Sequence, residues 1–195
     1  MTVTESEPVI PRALVERAKA ILMKPAQEWD VIDAEPATIK GIYMGYLVYL
    51  AAISPIARFI GDVVFLHAPV IRELITAIVS YAIWLGGAYL MALLIDVLAP
   101  TFGGQRDRVQ AFKVAAYSST ASAVAGIFAI IPALSMLAIV GLYGLYLLWL
   151  GLPKLMKVPQ EKQLTYFAAL LVTMFLVGVV LSIVLTPLMV SSYRT

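Results

Sequence analysis

The fold is decided by residues 114–153, which read VAAYSSTASAVAGIFAIIPALSMLAIVGLYGLYLLWLGLP and carry no charge over 40 positions. As a single helix they would reach about 60 Å, roughly twice the thickness of the hydrocarbon core of a bilayer. Pro132 lies near the middle, and it lacks the N–H that an interior helical residue donates. The stretch therefore predicts two antiparallel helices, 114–131 and 133–152, that meet at Pro132.

The composition of the whole chain is that of a membrane protein. Of its 195 residues, 62% are apolar and 13% are charged, whereas soluble domains carry about 25% charged residues. The sequence therefore predicts an all-α integral membrane protein, a five-transmembrane-helix bundle. The other predicted spans are 38–60, 74–98 and 164–188, between an N-terminal segment at 1–37 and a tail at 191–195.

The distribution of Lys and Arg predicts the orientation, because these residues are retained in cytoplasmic loops. With five spans, 11 of the 14 basic residues fall on one side of the membrane and three on the other. Treating residues 114–153 as one crossing changes this to nine against five. We therefore predict five spans, with the N-terminus in the cytoplasm and the C-terminus outside. The first ten residues hold two glutamates and no apolar core, so no cleavable signal peptide is expected.

The N-terminal segment contains a predicted amphipathic helix at residues 11–23. Its apolar residues are spaced at helical intervals, whereas its charges lie on other faces. This pattern predicts an interfacial helix in the cytoplasmic headgroup layer, with Trp29 at the same depth. The alternative is a solvated helix packed on its own loops. The acidic stretch that follows is interpreted as a solvated connector rather than a metal site: Glu28, Asp30, Asp33 and Glu35.

Most forms of catalysis and cofactor binding are not expected. The chain has no Cys, and its single His, His67, has no second nitrogen or sulfur ligand with which to share a metal. No serine has a neighbouring histidine that could act as its base. We therefore expect no enzyme activity, no cofactor and no metal. The net charge of +2 is too small and too dispersed to indicate nucleic-acid binding.

Small residues recur every fourth position on three predicted spans. Such ladders let helix backbones approach closely, so helix packing is their expected use. A substrate groove lined by hydroxyl groups is the alternative. The residues concerned are Gly41 and Gly45 on the first span, Ser118, Ser122 and Gly126 on the third, and Gly178 and Ser182 on the fifth.

Asp96 is the one candidate for an ionisable site within a span. Ionisable groups in a bilayer are costly, and each is a functional candidate by default. Asp96 lies two residues before the end of its predicted span, close to a basic loop. We therefore expect it to form a structural ion pair with Arg106, Arg108 or Lys113. A proton or ion site is the alternative.

Two segments of the sequence are distinctive: KPAQEWDVIDAE at 24–35 and GLYGLYLLWLGLPKLMKVP at 141–159. They resemble the Yip domain family, the Ypt/Rab-interacting family of multi-spanning membrane proteins. The resemblance is closest to small bacterial inner-membrane members, and it implies a five-span domain with a cytoplasmic N-terminus. The residues that carry it are Pro25, Trp29, Tyr143, Gly144, Tyr146, Gly151 and Pro153.

The resemblance also bears on partners and location. Eukaryotic relatives are associated with Rab GTPases, with membrane proteins of the same family and with traffic between the endoplasmic reticulum and the Golgi. Here only about 37 residues precede the first predicted span, a departure that puts Rab-type GTPase binding in doubt. The implied location is a bacterial inner membrane, with the endoplasmic reticulum or Golgi membrane as the alternative.

Two functions remain as hypotheses. The first is a non-catalytic scaffold, accessory subunit or membrane-organising factor of the trafficking type. It would act in the bilayer through helix–helix association with other membrane proteins or with a second copy. The alternative is a small-solute or ion carrier or channel that uses Asp96, hydroxyl groups and the tyrosines placed deepest in the spans, Tyr46, Tyr81 and Tyr143.

Overall fold

The computed structural model describes residues 11–191 and the side chains of residues 14–183. Over these residues the chain is helical, with no strand. Of the predicted tail at 191–195, all but Ser191 lies outside the described residues. The elements are α1 (Pro11–Met23), α2 (Pro25–Ala34), α3 (Ile39–Phe65), α4 (Val70–Phe102), α5 (Arg108–Ile130), α6 (Pro132–Met156) and α7 (Gln160–Ser191).

The five helices α3 to α7 are each long and apolar enough to cross a bilayer. The predicted all-α five-span fold is therefore confirmed. Between α5 and α6 the chain turns at Ile131, whose backbone is extended, and Pro132 begins the next helix. Proline is well suited to this position, because the first N–H groups of a helix have no partner within the helix.

The helix α5 lies at the centre of the bundle. Over its most apolar stretch 56% of the residues are buried, against 33% or less in the other four long helices. Its mean hydropathy, 1.2, is also the lowest of the five. Both values follow from its many Ala and Ser residues, which contact other helices closely, whereas the more apolar α4, α6 and α7 present their side chains outward.

The bundle has two ends, and the chain alternates between them. We call the end with residues 99–108 and 156–160 the cap face, and the end with residues 61–70 and 130–132 the opposite face. At the cap face the Gln105 N–H donates to the Met156 carbonyl at 2.8 Å. At the opposite face α3 and α5 approach so closely that a Cβ on Gly61 would lie 2.4 Å from the Ala129 carbonyl oxygen.

Candidate functional site: the N-terminal cap and the helix contacts beneath it

The helices α1 and α2 fold back onto the cap face and together form what we call the cap. Pro25 lies in the first turn of α2. The acidic stretch is therefore helical, and its prediction as a connector is wrong. Ile21 of α1 is completely buried against the protein, whereas Val15 and Met23 remain 65% and 72% exposed. Contact of α1 with the headgroup layer stays a prediction, and these exposed residues are the ones available for it.

Trp29 joins α2 to α6. Its side chain is completely buried in the protein, so the indole does not itself contact the headgroup layer, and its depth in the membrane stays a prediction. A Cβ on Gly151 would lie 2.7 to 2.9 Å from three atoms of the indole ring, which means that a glycine is needed for the ring to fit. The indole also meets the ring of Tyr117 edge to face, with centroids 6.5 Å apart. The two segments that resemble the Yip family are thus in direct contact.

The remaining residues of that resemblance lie along α6. The Tyr143 hydroxyl donates to the Leu22 carbonyl of α1 at 3.2 Å, so this tyrosine also holds the cap. Its ring lies 5.4 Å from the ring of Tyr146, which is 48% exposed. Pro153 is half-buried inside the last turns of α6. These residues therefore follow one helix from the cap toward the membrane interior.

Two ion pairs link α2 to the end of α6. Lys154 donates to the Asp30 carboxylate, and Lys157 donates to the Asp33 carboxylate, each at 2.5 Å. Lys154 also donates to the Ala26 carbonyl at 2.7 Å. Two of the basic residues counted as orientation signals therefore hold the cap in place as well.

Arg17 ties α1 to α2. Its guanidinium donates to the carboxylates of Glu28 and Glu35. Burial alone would lower the pKa of Arg17, but the nearby negative charges of Glu35 and Glu28 outweigh it, and the pKa is raised above its usual value. Arg17 is therefore charged at neutral pH, and its two ion pairs join α1 to α2 within the cap.

Lys113 holds the C-terminal end of α2. The side chain is 3% exposed, and its ammonium donates to the carbonyls of Ile32 and Glu35 at 2.7 and 2.6 Å. The last carbonyls of a helix have no partner within the helix, and a cation is favoured there. Sequence reasoning missed this role, because it placed Lys113 in a loop. The sequence held a signal, because Lys113 is the single charge in the run AFKVAAYS at 111–118, all of which is buried in the structure.

Neutralising one of the two ion pairs between α2 and the end of α6 is expected to have little effect on the free energy of unfolding. Asp30 is 70% exposed at its side chain, and exposed pairs contribute about 0–1 kcal/mol. Asp30→Asn should therefore lower the free energy of unfolding by less than about 1 kcal/mol, as measured by chemical denaturation in detergent. A loss several times larger would mean that these pairs, rather than Trp29 and Lys113, hold the cap.

The small residues of the third predicted span pack against neighbouring helices inside the bundle. A Cβ on Gly126 would lie 1.8 Å from the Ser54 hydroxyl of α3. On the other side of α5, a Cβ on Gly144 of α6 would lie 2.9 Å from the Ser118 carbonyl and 3.2 Å from the Ser122 hydroxyl. Ser118, Ser122 and Gly126 therefore bring α5 close to its two neighbours.

The other small residues face outward or contact their own helix. Gly41 is exposed and approaches only the Thr38 hydroxyl, which caps the same helix. Gly45 is half-buried in a π-helical turn at Tyr43–Leu47. Among the described residues, a Cβ on Gly178 would meet no atom within 4 Å, and Ser182 nearby is exposed. In the described structure the small residues of α5 thus pack against neighbouring helices, whereas Gly178 on α7 does not.

Adding a methyl group at Gly126 is expected to force α3 and α5 apart. Overpacking of this kind costs about 1–3 kcal/mol, so Gly126→Ala should lower the free energy of unfolding by that amount. Adding Ser54→Gly in the same chain should restore much of the loss, because it removes the clashing side chain. Gly86→Ala is the control, since a Cβ there meets nothing within 4 Å. The interpretation fails if both alanine variants change stability equally.

A cavity of about 460 Å³ lies between α4, α5 and α6, lined by the hydroxyls of Ser118, Ser119 and Ser122. Two of these hydroxyls are already bonded within α5: Ser118 donates to the Val114 carbonyl at 2.6 Å, and Ser119 to the Ala116 carbonyl at 2.8 Å. The third hydroxyl, that of Ser122, donates to the Gly141 carbonyl of α6 at 3.3 Å. A substrate groove, the alternative use of the ladder, stays a prediction.

Asp96 is 2% exposed at the cap-face end of α4. One carboxylate oxygen, Oδ2, accepts a hydrogen bond from Arg106 at 3.1 Å, and Arg108 lies 3.9 Å away. The other oxygen, Oδ1, is buried with no hydrogen-bond partner among the described residues. Lys113, the third predicted partner, is bonded to α2 instead. The structure thus gives Asp96 an ion pair and one unused acceptor.

The tyrosines that lie deep in the spans do not form one connected polar network, and each makes its own hydrogen bond. Tyr46 and Thr120 share a hydrogen bond of 2.7 Å between α3 and α5, and Tyr81 donates to the Val48 carbonyl at 3.2 Å. Tyr166, which sequence reasoning did not single out, donates to the Ile95 carbonyl at 2.6 Å. Each hydroxyl therefore fastens a different pair of helices.

Among residues 11–191 no group of His, Cys, Asp and Glu could hold a metal ion. A helical bundle of five membrane-crossing helices, with two short helices docked on one end, defines the class as a polytopic α-helical membrane protein. The chain belongs to the Yip1 domain family, whose model matches residues 19–182. The matched range includes α2 and the contact of Trp29 with Gly151. Comparisons with curated proteins and with solved structures gave no match.

Proposed function

We propose that this protein is a non-catalytic membrane scaffold or accessory subunit that associates with other membrane proteins, or with a second copy, through α7. The supporting observation is the uneven packing of that helix. Tyr166 and Leu170, in its first half, are completely buried against the bundle. From Phe175 to Ile183 nearly all its residues are exposed, and Gly178 lies open at the centre of that stretch.

Exposed apolar residues alone do not bring helices together in a bilayer, because lipid tails are equally apolar. Association requires close packing, which small residues allow by letting two backbones approach. On α5 the same kind of ladder is filled by neighbouring helices. On α7 a Cβ on Gly178 would meet no atom of the described residues within 4 Å, so the face around this glycine is available to a helix from another protein.

The proposal is tested by filling the open position. Gly178→Leu should weaken association about tenfold or more, measured by energy transfer between labelled copies in liposomes and by crosslinking in native membranes. Gly86→Leu on α4 is the matched control, because that glycine is equally open, and it should change nothing. Wild-type protein that is monomeric in liposomes and crosslinks to no protein in membranes would contradict the proposal.

For the orientation we propose a cytoplasmic cap and an external C-terminus, in a bacterial inner membrane. The basic residues of the cap face, among them Arg106, Arg108, Lys154 and Lys157, support this assignment, because such residues are retained in the cytoplasm. The endoplasmic reticulum or Golgi membrane is the alternative. Reporter tags fused at Met1 and at Thr195 should face different compartments. Tags that face the same one would exclude the orientation.

One observation supports a carrier as the second candidate function. The Oδ1 atom of Asp96 is buried without a hydrogen-bond partner in the described structure, and an unused acceptor of this kind can take a proton or a cation. Liposomes with purified protein should then show a proton or solute flux that Asp96→Asn abolishes. A leak that is the same with and without the substitution would remove this candidate.

A further inference from the structure

A second cavity, of about 170 Å³, lies between α3 and α4 near the opposite face, far from the cap. Its lining includes two charged residues, three hydroxyl groups and two aromatic rings: Arg58, Glu73, Ser54, Thr76, Ser80, Phe59 and Trp84. Drug-sized ligands occupy larger pockets, of about 300–1,000 Å³. The volume is therefore suited to a small polar group.

The charges around this cavity balance. Glu73 is 7% exposed, and its carboxylate lies 3.3 Å from the guanidinium of Arg72. Arg58 pairs with Asp62 at 3.3 Å. Both arginines are about 70% exposed, at 71% for Arg58 and 69% for Arg72. Around the cavity the two arginines are thus balanced by two carboxylates, the buried Glu73 and Asp62, so the four groups carry no net charge.

The cavity runs from the membrane surface into the bilayer. Glu73 lies in the first turn of α4, and Trp84 follows eleven residues later, about 16 Å further along a helix axis. Further along the chain toward the opposite face, Val64, Phe65 and Leu66 are exposed and apolar, so this end of the bundle is compatible with lipid. A ligand that fits this arrangement has a charged end at the surface and an apolar part in the membrane.

We propose that this cavity binds the headgroup of a zwitterionic phospholipid with a primary ammonium group, a phosphatidylethanolamine. The ammonium donates hydrogen bonds to the buried Glu73 carboxylate, and the Arg58 guanidinium binds the phosphate. Hydrogen bonds between charged groups are about twice as strong as neutral ones. A ligand that carries both charges matches a site without net charge. Beyond the Arg72 guanidinium that Glu73 already faces, an anionic lipid brings no cationic donor to this carboxylate, and a quaternary ammonium has no N–H to donate.

The test uses the full chain in nanodiscs that contain phosphatidylcholine and an equal fraction of either phosphatidylethanolamine or phosphatidylglycerol. Lipids that remain bound after release into detergent are measured by native mass spectrometry. Phosphatidylethanolamine should be retained about tenfold more than the others, which corresponds to about 1.4 kcal/mol. Glu73→Gln should abolish the preference. Glu161→Gln, on an exposed carboxylate at the cap face, should leave it unchanged.

Two further variants make the test independent of any folding defect in Glu73→Gln. Arg58→Gln changes an exposed side chain and should reduce phosphatidylethanolamine retention about tenfold. Ala77→Leu keeps every charge but fills part of the cavity, and it should reduce retention in the same way. Equal retention of all three lipids by the wild type, a preference for phosphatidylglycerol, or full retention by Ala77→Leu would each overturn the proposal. It does not depend on the function proposed for α7.

Discussion

Trp29→Ala is expected to release the cap from the bundle. Removing a fully buried tryptophan side chain costs about 3–5 kcal/mol, and this indole joins α2 to Gly151 of α6 and to Tyr117 of α5. A loss of 3 kcal/mol raises the fraction of detached cap about a hundredfold. Limited proteolysis of the purified protein should therefore cut between α1 and α3 far faster, while the five long helices stay intact.

Two controls separate this effect from a general loss of stability. Met23→Ala removes a side chain that is 72% exposed on the same cap, and it should leave the proteolysis rate unchanged. Gly151→Ala approaches the contact from the other side: its methyl group would overlap the indole and should cost about 1–3 kcal/mol. If Trp29→Ala and Met23→Ala are cut at the same rate, the indole is not what holds the cap.

The span count could be predicted from the sequence because it depends on hydropathy alone. Charge-free stretches of sufficient length have few stable alternatives in a bilayer, and Pro132 marked the one place where a stretch was too long. Hydropathy does not say which face of a helix contacts protein and which contacts lipid, since both surroundings are apolar. The small residues on α5 and on α7 have the same spacing in the sequence. In the described structure, however, those on α5 pack against other helices, whereas Gly178 on α7 does not.

The cap could not be predicted, because its contacts join distant parts of the chain. Trp29 and Gly151 were each recognised, but only as features of a resemblance, and Trp29 was expected near the headgroups. A tryptophan next to acidic residues is typical of an interfacial position. Here a glycine opposite the ring leaves room for the indole to be buried. Lys113 was treated as one of many loop charges, whereas its buried neighbours turn it into a partner for backbone carbonyls.

Lys113→Met is the second substitution expected to have a large effect. Methionine keeps most of the length and the apolar stem, but it cannot donate to the carbonyls of Ile32 and Glu35. A hydrogen bond from a charged donor contributes about 1.5–3 kcal/mol. Removing the buried charge recovers part of its desolvation cost, which opposes this loss. Since two bonds are lost and two carbonyls stay without a partner, we expect a net loss of about 3 kcal/mol.

Hydrogen exchange at the end of α2 measures this loss where it occurs. In Lys113→Met the amides of residues 31–35 should exchange about a hundredfold faster, while those at the centre of α5 keep their protection. Lys162→Met, on an exposed lysine of the cap face, is the control, because surface substitutions change stability by about 0.5 kcal/mol or less. Unchanged exchange in Lys113→Met would mean that the ion pairs and Trp29 suffice to hold α2. Faster exchange confined to α5 would place the role of Lys113 in the bundle rather than in the cap.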